Sequence, residues 1–151
     1  MRPKGRGYVL KDKNKGERSS GSAGLGAVLL VDDEPAILEF GKEMLEYFGF
    51  EPLCAENGED ALACFGERKD DLDLVILDLN MPGMGGAECF ERMVRIKPDV
   101  KILVTSGFAP VGEVRELLDR GSAGFLMKPF RVEVLVEKIE EILGLSLSPV
   151  R

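Results

Sequence analysis

Short apolar runs alternate with longer amphipathic stretches along the chain from residue 27 onward. In the longer stretches the apolar residues recur at the spacing of a helix that faces a core; the first stretch closes at Gly49 and the third ahead of Pro98. Apolar runs as short as those between them are typical of strands in a buried sheet. The pattern predicts five strands, at Val28–Val31, Pro52–Ala55, Leu74–Leu77, Ile102–Thr105 and Gly124–Met127.

A helix is predicted after each of these strands, so the chain contains repeated β/α units. Connections of this kind are right-handed and place helices on both faces of a parallel sheet. The third run, Leu74–Leu77, is apolar on both faces, as a strand in the centre of a parallel sheet should be. The predicted fold class is therefore α/β, a doubly wound five-stranded parallel sheet with five helices.

The first 26 residues differ in composition from the rest of the chain. They contain six glycines and three serines, and residues 1–27 hold seven lysines or arginines against Asp12 and Glu17. Such a segment buries too little apolar surface to fold, so we expect a disordered basic leader or linker over residues 1–26. One folded domain is expected over residues 27–144, followed by a C-terminal tail over residues 145–151.

Charge and composition exclude several classes of function. The net charge is −7 although the leader is basic, so the body is strongly acidic and is not expected to bind nucleic acid directly. No apolar run approaches the roughly 20 residues of a membrane-spanning helix, so we expect a cytoplasmic protein without membrane contact. The absence of histidine excludes Ser-His and Cys-His catalytic pairs and a role as histidine phosphodonor.

Three cysteines, Cys54, Cys64 and Cys89, are widely spaced and form no CxxC pair. Without histidine they do not complete a zinc site. We expect all three to be reduced and to lie in or beside the core, where a free cysteine behaves as a small apolar residue.

Polar residues stand at the ends of four predicted strands. Asp32 and Asp33 follow the first strand and Asp78 follows the third, while Thr105 ends the fourth and Lys128 follows the fifth. In an open parallel sheet, ligands bind beyond the carboxyl ends of the strands, where the strand order reverses. These five residues are therefore predicted to meet in one pocket.

Three carboxylates in one pocket repel each other unless a cation neutralises them. Mg²⁺ is the natural choice because it takes oxygen ligands and retains several waters, and Mn²⁺ could replace it. An alternative for Asp32 and Asp33 is capping of the next helix, although one aspartate satisfies a cap. Taken alone, Asp78 could form a turn, Thr105 could be an ordinary strand residue and Lys128 could be a solvated surface lysine.

Four segments resemble the motifs of receiver domains of two-component response regulators, in the same order along the chain. The segments are Val31–Glu34, Asp78–Gly83, Val104–Gly107 and Lys128–Phe130, and the match runs from about Ala27 to Gly144. The resemblance implies a flavodoxin-like sheet with strand order 2-1-3-4-5. It also implies a phosphorylation switch that takes its phosphoryl group from a histidine kinase or a histidine phosphotransfer domain.

The resemblance assigns the acids of the pocket. Asp78 would be the phosphoacceptor. Asp33, Asp78 and the backbone carbonyl of Asn80 would bind Mg²⁺ directly, while Asp32 would act mainly through water.

The resemblance also assigns the residues that respond to the phosphoryl group. Lys128 would supply charge and Thr105 a hydroxyl to the phosphoryl oxygens. Thr105 and Phe125 would be the switch pair that changes the face formed by the fourth helix, the fifth strand and the fifth helix; a static core ring is the alternative for Phe125. The bond before Pro129 is expected to be cis. Gly107 leaves the site open to water, so we expect a phosphorylated lifetime of seconds to hours.

Two other functions are compatible with parts of this pattern. Phosphatases of the haloacid dehalogenase type also use a nucleophilic aspartate with Mg²⁺, but they place it first, in a DxD element, whereas here the acidic pair comes first and Asp78 lies in Asp-Leu-Asn. A binding module that kept only the fold would have a damaged site, and this site is intact. The chain is expected to be a stand-alone regulator or the receiver of a hybrid histidine kinase, and a monomer or a weak phosphorylation-dependent dimer.

Overall fold

The structure, a computed structural model, describes residues 8–10, 24–108 and 111–150. Its strands are β1 (Tyr8–Leu10), β2 (Ala27–Val31), β3 (Glu51–Ala55), β4 (Leu72–Asp78), β5 (Ile102–Ser106), β6 (Gly124–Met127) and β7 (Leu145–Leu147). Its helices are α1 (Pro35–Tyr47), α2 (Gly58–Arg68), α3 (Gly86–Ile96), α4 (Val111–Asp119) and α5 (Val132–Leu143). All five predicted strands and the helices between them are present.

Strands β2 to β6 form one parallel sheet in the order β3-β2-β4-β5-β6. Counted within this sheet alone, the order is 2-1-3-4-5, which confirms the expected topology. β3 lies on one side of β2 and β4 lies on the other, so the strand order reverses at the β2–β4 pair. The crevice beyond the carboxyl ends of these two strands is the place where doubly wound proteins bind ligands.

Helices cover both faces of the sheet because its central strands are apolar at successive positions. In β2, Leu29 belongs to a core cluster with Phe65 of α2. Its neighbour Leu30 belongs to a second cluster on the opposite face, with Leu45 of α1 and Leu135 of α5. Burying side chains of this size contributes roughly 1.5–3 kcal/mol each, so the sheet is anchored from both sides.

Local signals define several helix ends. Helix α1 begins at Pro35, a residue whose fixed φ suits the first turn. Asn57 caps α2, because its side chain accepts a hydrogen bond from the Asp60 N–H at 2.7 Å. Helix α5 ends at Gly144, whose φ of 69° lies in the left-handed region that favours glycine.

The first and the last described strands pair with each other at the amino-terminal edge of the sheet. β1 pairs antiparallel with β7, with Tyr8 opposite Leu147. Leu145 is 3% exposed and belongs to the core cluster on the α1–α5 face. The Val150 N–H donates to the Tyr47 carbonyl at 2.8 Å, which holds the end of the described chain against α1.

These contacts differ from what the composition of the two ends led us to expect. Strand β1 falls within the segment expected to be a disordered leader, and β7 falls within the expected tail. The other residues before Gly24 lie outside the described part of the chain. The domain limits of residues 27 and 144 therefore stay predictions.

The three cysteines are free, as expected, but they are buried to different degrees. Cys89 is buried, Cys64 is half-buried and Cys54 is exposed. Burial raises the pKa of the Cys89 thiol to about 11. The expectation that Cys54 lies in or beside the core is wrong, because it stands on β3, an edge strand with a neighbouring strand on one side only.

Among the helices that the structure describes, none has both the length and the apolar character needed to cross a membrane.

Candidate functional site

Asp32, Asp33 and Asp78 meet beyond the ends of β2 and β4. Each offers a carboxylate oxygen, and these oxygens all lie within 4.8 Å of one another. Asp32 and Asp78 are only 1% and 2% exposed, whereas Asp33 is the most accessible of the three. The predicted convergence of the acids is therefore present, and clustered oxygen ligands suit a hard divalent cation such as Mg²⁺.

Neither Asp32 nor Asp33 caps helix α1. Glu34 occupies the N-cap position, and its side chain makes no capping hydrogen bond. Asp32 Oδ1 accepts the Glu34 N–H at 3.0 Å, which closes a turn just before the helix. Capping is therefore the wrong explanation for the acidic pair, and both carboxylates remain for the pocket.

Lys128 reaches the acids from the end of β6. Its Nζ lies 2.7 Å from Asp32 Oδ2, 3.4 Å from Asp78 Oδ2 and 3.8 Å from Glu34 Oε1, and its side chain is 17% exposed. Burial disfavours the charged amine, but the hydrogen bond to Asp32 and the charge of Asp78 outweigh it and raise the pKa of Lys128. One ammonium group offsets only part of the local negative charge, and a metal ion would offset the rest.

The surroundings of Asp78 disfavour its ionised form. Burial raises the pKa of this carboxyl above its ordinary value, and the charge of Asp32 adds to the rise. The Asn80 N–H, which donates to Asp78 Oδ1 at 3.0 Å, and the charge of Lys128 act in the opposite direction. A cation beside Asp78 would favour the carboxylate, which is the form that can bind a metal or attack phosphorus.

Helix α3 approaches the loop after Asp78 very closely. The Gly86 N–H donates to the Leu79 carbonyl at 3.3 Å. A Cβ at Gly86 would lie 2.4 Å from the Asp78 carbonyl oxygen and 2.5 Å from Leu79 Cα, so only glycine fits. A Cβ at the neighbouring Gly85 would meet nothing within 4 Å. Only this contact distinguishes the two adjacent glycines.

Thr105 lies opposite Asp78 in the register of β4 and β5, and it is 3% exposed. Together with Asp32 and Lys128, it lines a cavity of about 580 Å³ that extends between α1 and α5 as far as Phe40. Thr105 therefore shares this cavity with Asp32 and Lys128, and the strand register places it beside Asp78. Most of the other residues that line the cavity are apolar, among them Leu30, Ile76 and Leu135.

The remaining predicted residues lie within β6 or just after β4 and β6. Phe125 is half-buried in β6, where it pairs with Val104 in the strand register and packs against the core on the α2–α3 face. The Lys128–Pro129 peptide bond is cis, as the resemblance implies. Switching by Phe125 and metal binding by the Asn80 carbonyl stay predictions.

Two residues of the site were missed by sequence reasoning. Glu34 was noted only as part of a motif, yet it lies within ion-pair distance of Lys128. Ser106 is fully buried, and its Oγ lies 2.6 Å from Asn80 Oδ1. No local pattern connects Ser106 with a side chain 26 residues earlier, so the sequence carries no signal for this contact.

Comparisons with known proteins agree with this geometry. The family described as "Response regulator receiver domain" matches residues 28–140. The sensor kinase CckA of Brucella abortus is 32% identical over 135 residues, which are 89% of this chain and 14% of that kinase. The chemotaxis protein CheY of Thermotoga maritima is 31% identical over 116 residues, which are 76% of this chain and 95% of that protein.

A solved structure gives the same result. The CheY-like receiver domain protein of Methanospirillum hungatei has a TM-score of 0.74 and 32% sequence identity, covering 80% of this chain and 94% of that one. The chain therefore belongs to the response regulator receiver domain family, and its acidic pocket with Lys128 is typical of a phosphoaccepting switch. This membership separates it from the phosphatases considered above.

Proposed function

We propose that Asp78 accepts a phosphoryl group from a phosphohistidine donor in a Mg²⁺-dependent reaction, and that the phosphorylated domain presents a changed surface to a partner. The observation that carries the proposal is the meeting of three carboxylates and one ammonium group where the strand order reverses. The family to which the chain belongs provides the context.

In this proposal Asp33, Asp78 and the backbone carbonyl of Asn80 bind the Mg²⁺ ion, and Mn²⁺ can take its place. Asp32 acts through a bound water, since its Oδ1 already accepts the Glu34 N–H and its Oδ2 already contacts Lys128. The charge balance supports a metal, because Lys128 alone leaves a buried pocket with net negative charge. When bound, the ion neutralises charge that develops on the phosphoryl oxygens.

In the transfer step, an oxygen of the Asp78 carboxylate forms a bond to phosphorus. The bond between phosphorus and the donor's histidine nitrogen breaks, and the nitrogen keeps the electron pair. The Lys128 ammonium group, which lies 3.4 Å from Asp78 Oδ2, shifts to contact a phosphoryl oxygen. The Thr105 hydroxyl donates a hydrogen bond to another phosphoryl oxygen. Because this sequence contains no histidine, the donor lies outside it.

Thr105 and Phe125 carry the change to the face formed by α4, β6 and α5. This face supports the proposal because it has exposed apolar side chains on all three elements. Leu118, Met127 and Val134 are 45%, 51% and 37% exposed, respectively. Exposed apolar side chains favour contact with a partner or with a second copy in a weak phosphorylation-dependent dimer.

The proposed donor is a histidine kinase or a histidine phosphotransfer domain. The match of most of this chain to part of a sensor kinase supports that relation, either within a hybrid kinase or as a stand-alone regulator. Receiver domains are typically cytoplasmic, and we propose that location here. The strongly acidic body does not favour direct binding to nucleic acid.

The central test compares the wild-type chain with Asp78→Asn after incubation with acetyl phosphate and Mg²⁺, by intact-mass measurement. We expect one added phosphoryl group on the wild type, and none on Asp78→Asn or without the metal. Asp99→Asn changes an exposed aspartate between α3 and β5 and is the matched control, which should be phosphorylated like the wild type. A wild-type chain that gains no phosphoryl group would contradict the proposal.

A chase experiment then separates a switch from a phosphatase. Gly107 is exposed, and a Cβ there would meet nothing within 4 Å, which supports access of water to the phosphorylated site. We expect the phosphoryl label to be lost within seconds to hours and p-nitrophenyl phosphate not to be turned over continuously. Sustained turnover would favour a phosphatase, and a label that is fully retained after a day would contradict the expected lifetime.

A further inference from the structure

The buried hydroxyl of Ser106 contacts both loops that flank the proposed phosphorylation site. Ser106 ends β5 and is 0% exposed. Its Oγ lies 2.6 Å from Asn80 Oδ1, in the loop between β4 and α3. The same Oγ lies 2.8 Å from the Phe108 carbonyl, in the loop between β5 and α4, and accepts the Phe108 N–H at 3.1 Å.

Ser106 has one hydroxyl proton for these two acceptors, because a serine hydroxyl donates only once. The Gly107 N–H donates to Asn80 Oδ1 at 3.1 Å, which identifies that atom as the amide oxygen. Two oxygens 2.6 Å apart repel unless a proton lies between them, so the hydroxyl donates to Asn80. The Phe108 carbonyl is then a competing acceptor for the same proton.

Asn80 is anchored from two sides. Its N–H donates to Asp78 Oδ1, and its side-chain oxygen accepts from Ser106 and Gly107 at the end of β5. A movement of the Asn80 side chain would therefore act on the backbone that contacts the proposed phosphoacceptor. The backbone carbonyl proposed to bind the metal belongs to the same residue.

We propose that Ser106 is a positioning residue whose hydroxyl holds the Asn80 carboxamide and thereby ties the loop after Asp78 to the loop that leads into α4. The role rests on the proposed function of Asp78. Thr105 would contact the phosphoryl group itself. Ser106 acts instead through the neighbouring loop, and so provides a second connection from the site to α4. When phosphorylation displaces Asn80, the hydroxyl proton turns to the Phe108 carbonyl, and both loops change together.

Ser122 provides a matched control at the opposite edge of the sheet. Its Oγ accepts the Gly124 N–H at 3.3 Å and lies 2.8 Å from the Gly124 carbonyl and 3.2 Å from the Ile102 carbonyl. The hydroxyl therefore makes the same kind of local contacts as Ser106, ahead of β6. Ser122→Ala removes these contacts without touching Asn80.

The first measurement is amide hydrogen exchange of Gly107 in the unphosphorylated full chain without metal. Ser106→Ala should accelerate this exchange about threefold to tenfold, because the Asn80 oxygen that accepts the Gly107 N–H is no longer held. Asn80→Ala changes an exposed position and removes the acceptor itself, so it should have at least the same effect even if Ser106→Ala folds poorly. Ser122→Ala should leave the exchange unchanged. Unaltered exchange in a folded Ser106→Ala variant, or in Asn80→Ala, would overturn the proposal.

The second measurement is a double-mutant cycle on the rate of phosphorylation by acetyl phosphate with Mg²⁺. Ser106→Ala should lower the rate about threefold to tenfold, and it should change nothing further in the Asn80→Ala background. Additive losses, or an equal loss with Ser122→Ala, would show a general structural effect and overturn the proposal. If the wild type is not phosphorylated at all, the proposed function fails, while the exchange measurement still decides whether Ser106 holds Asn80.

Discussion

The two edges of the parallel sheet are closed by different kinds of contact. At the carboxyl-terminal edge, two nearly buried acids meet Lys128, and polar side chains join the loops. At the amino-terminal edge, Leu25 and Leu145 pack against the α1–α5 core, and the Leu25 N–H donates to the Gly49 carbonyl at 3.1 Å. Buried apolar surface stabilises a fold, whereas buried charge costs free energy. The amino-terminal edge therefore stabilises the fold. The buried charges at the carboxyl-terminal edge lower the stability of the fold and provide the reactive groups.

The largest effect is expected where helix α3 meets the carboxyl-terminal edge. Gly86→Ala should lower the free energy of unfolding by about 3 kcal/mol, because the added methyl group meets the backbone of Asp78 and Leu79. It should also abolish phosphorylation by displacing Asp78. Gly85→Ala has open space around its Cβ and should change stability by no more than about 0.5 kcal/mol. Urea unfolding and intact-mass measurements check both variants, and equal effects would contradict the packing argument.

The amino-terminal edge should respond in stability alone. Leu145→Ala removes a side chain that is 3% exposed and should lower the free energy of unfolding by about 2 kcal/mol. Phosphorylation should continue at the wild-type rate wherever the variant is folded, since no residue of the pocket is touched. Leu147→Ala, at a half-buried position, should lower the free energy of unfolding by a smaller amount. A slower phosphoryl transfer in Leu145→Ala would break the distinction between the two edges.

At the carboxyl-terminal edge, removal of a charge should have the opposite effect on stability. Asp78→Asn removes one of the mutually repelling acids, so in the absence of metal the free energy of unfolding should rise by about 1 kcal/mol. Mg²⁺ should stabilise the wild type and have little effect on the variant, because a proposed ligand is lost. Urea unfolding with and without Mg²⁺ measures both, with Asp99→Asn as the control. A destabilised Asp78→Asn variant would mean that the carboxylate is stabilising after all.

The smallest effect concerns pH. Burial raises the pKa of Asp78 in the folded chain above its ordinary value of 3.8, so just above that pH the folded chain keeps a proton that the unfolded chain has lost. The contribution of Asp78 to stability therefore falls as the pH rises through this interval. Without metal, the stability advantage of Asp78→Asn over the wild type should widen with rising pH. An advantage that stays constant with pH would contradict the raised pKa.

Much of the site was predictable because its residues stand at the ends of apolar runs. Asp32, Asp78 and Lys128 each follow a strand that local periodicity identifies, and the geometry of parallel sheets brings strand ends together. The hydrogen-bond partners of these residues were harder to predict from the sequence. The spacing of Asp32 and Asp33 was compatible with helix capping. Only the structure excluded capping, because Glu34 occupies the N-cap position and Asp32 accepts the Glu34 N–H instead.

Other features depended on which elements became neighbours. Cys54 was expected beside the core because its run is apolar, but β3 lies at the edge of the sheet. The need for glycine at position 86 arises only because helix α3 lies against the backbone of Asp78 and Leu79. The pairing of β1 with β7 joins segments from the two ends of the chain, and composition gave no sign of it.

The amino-acid sequence by itself determined the five strands, the helices on both faces and the set of polar groups at the carboxyl-terminal edge. These are local properties, because periodicity and strand ends can be recognised within a few neighbouring residues. Only the tertiary structure decided the partners, such as Lys128 with Asp32 across 96 residues and Ser106 with Asn80 across 26. The physical reason is that hydrogen bonds and close packing require placement to within a fraction of an ångström, which the whole fold sets and no local pattern encodes.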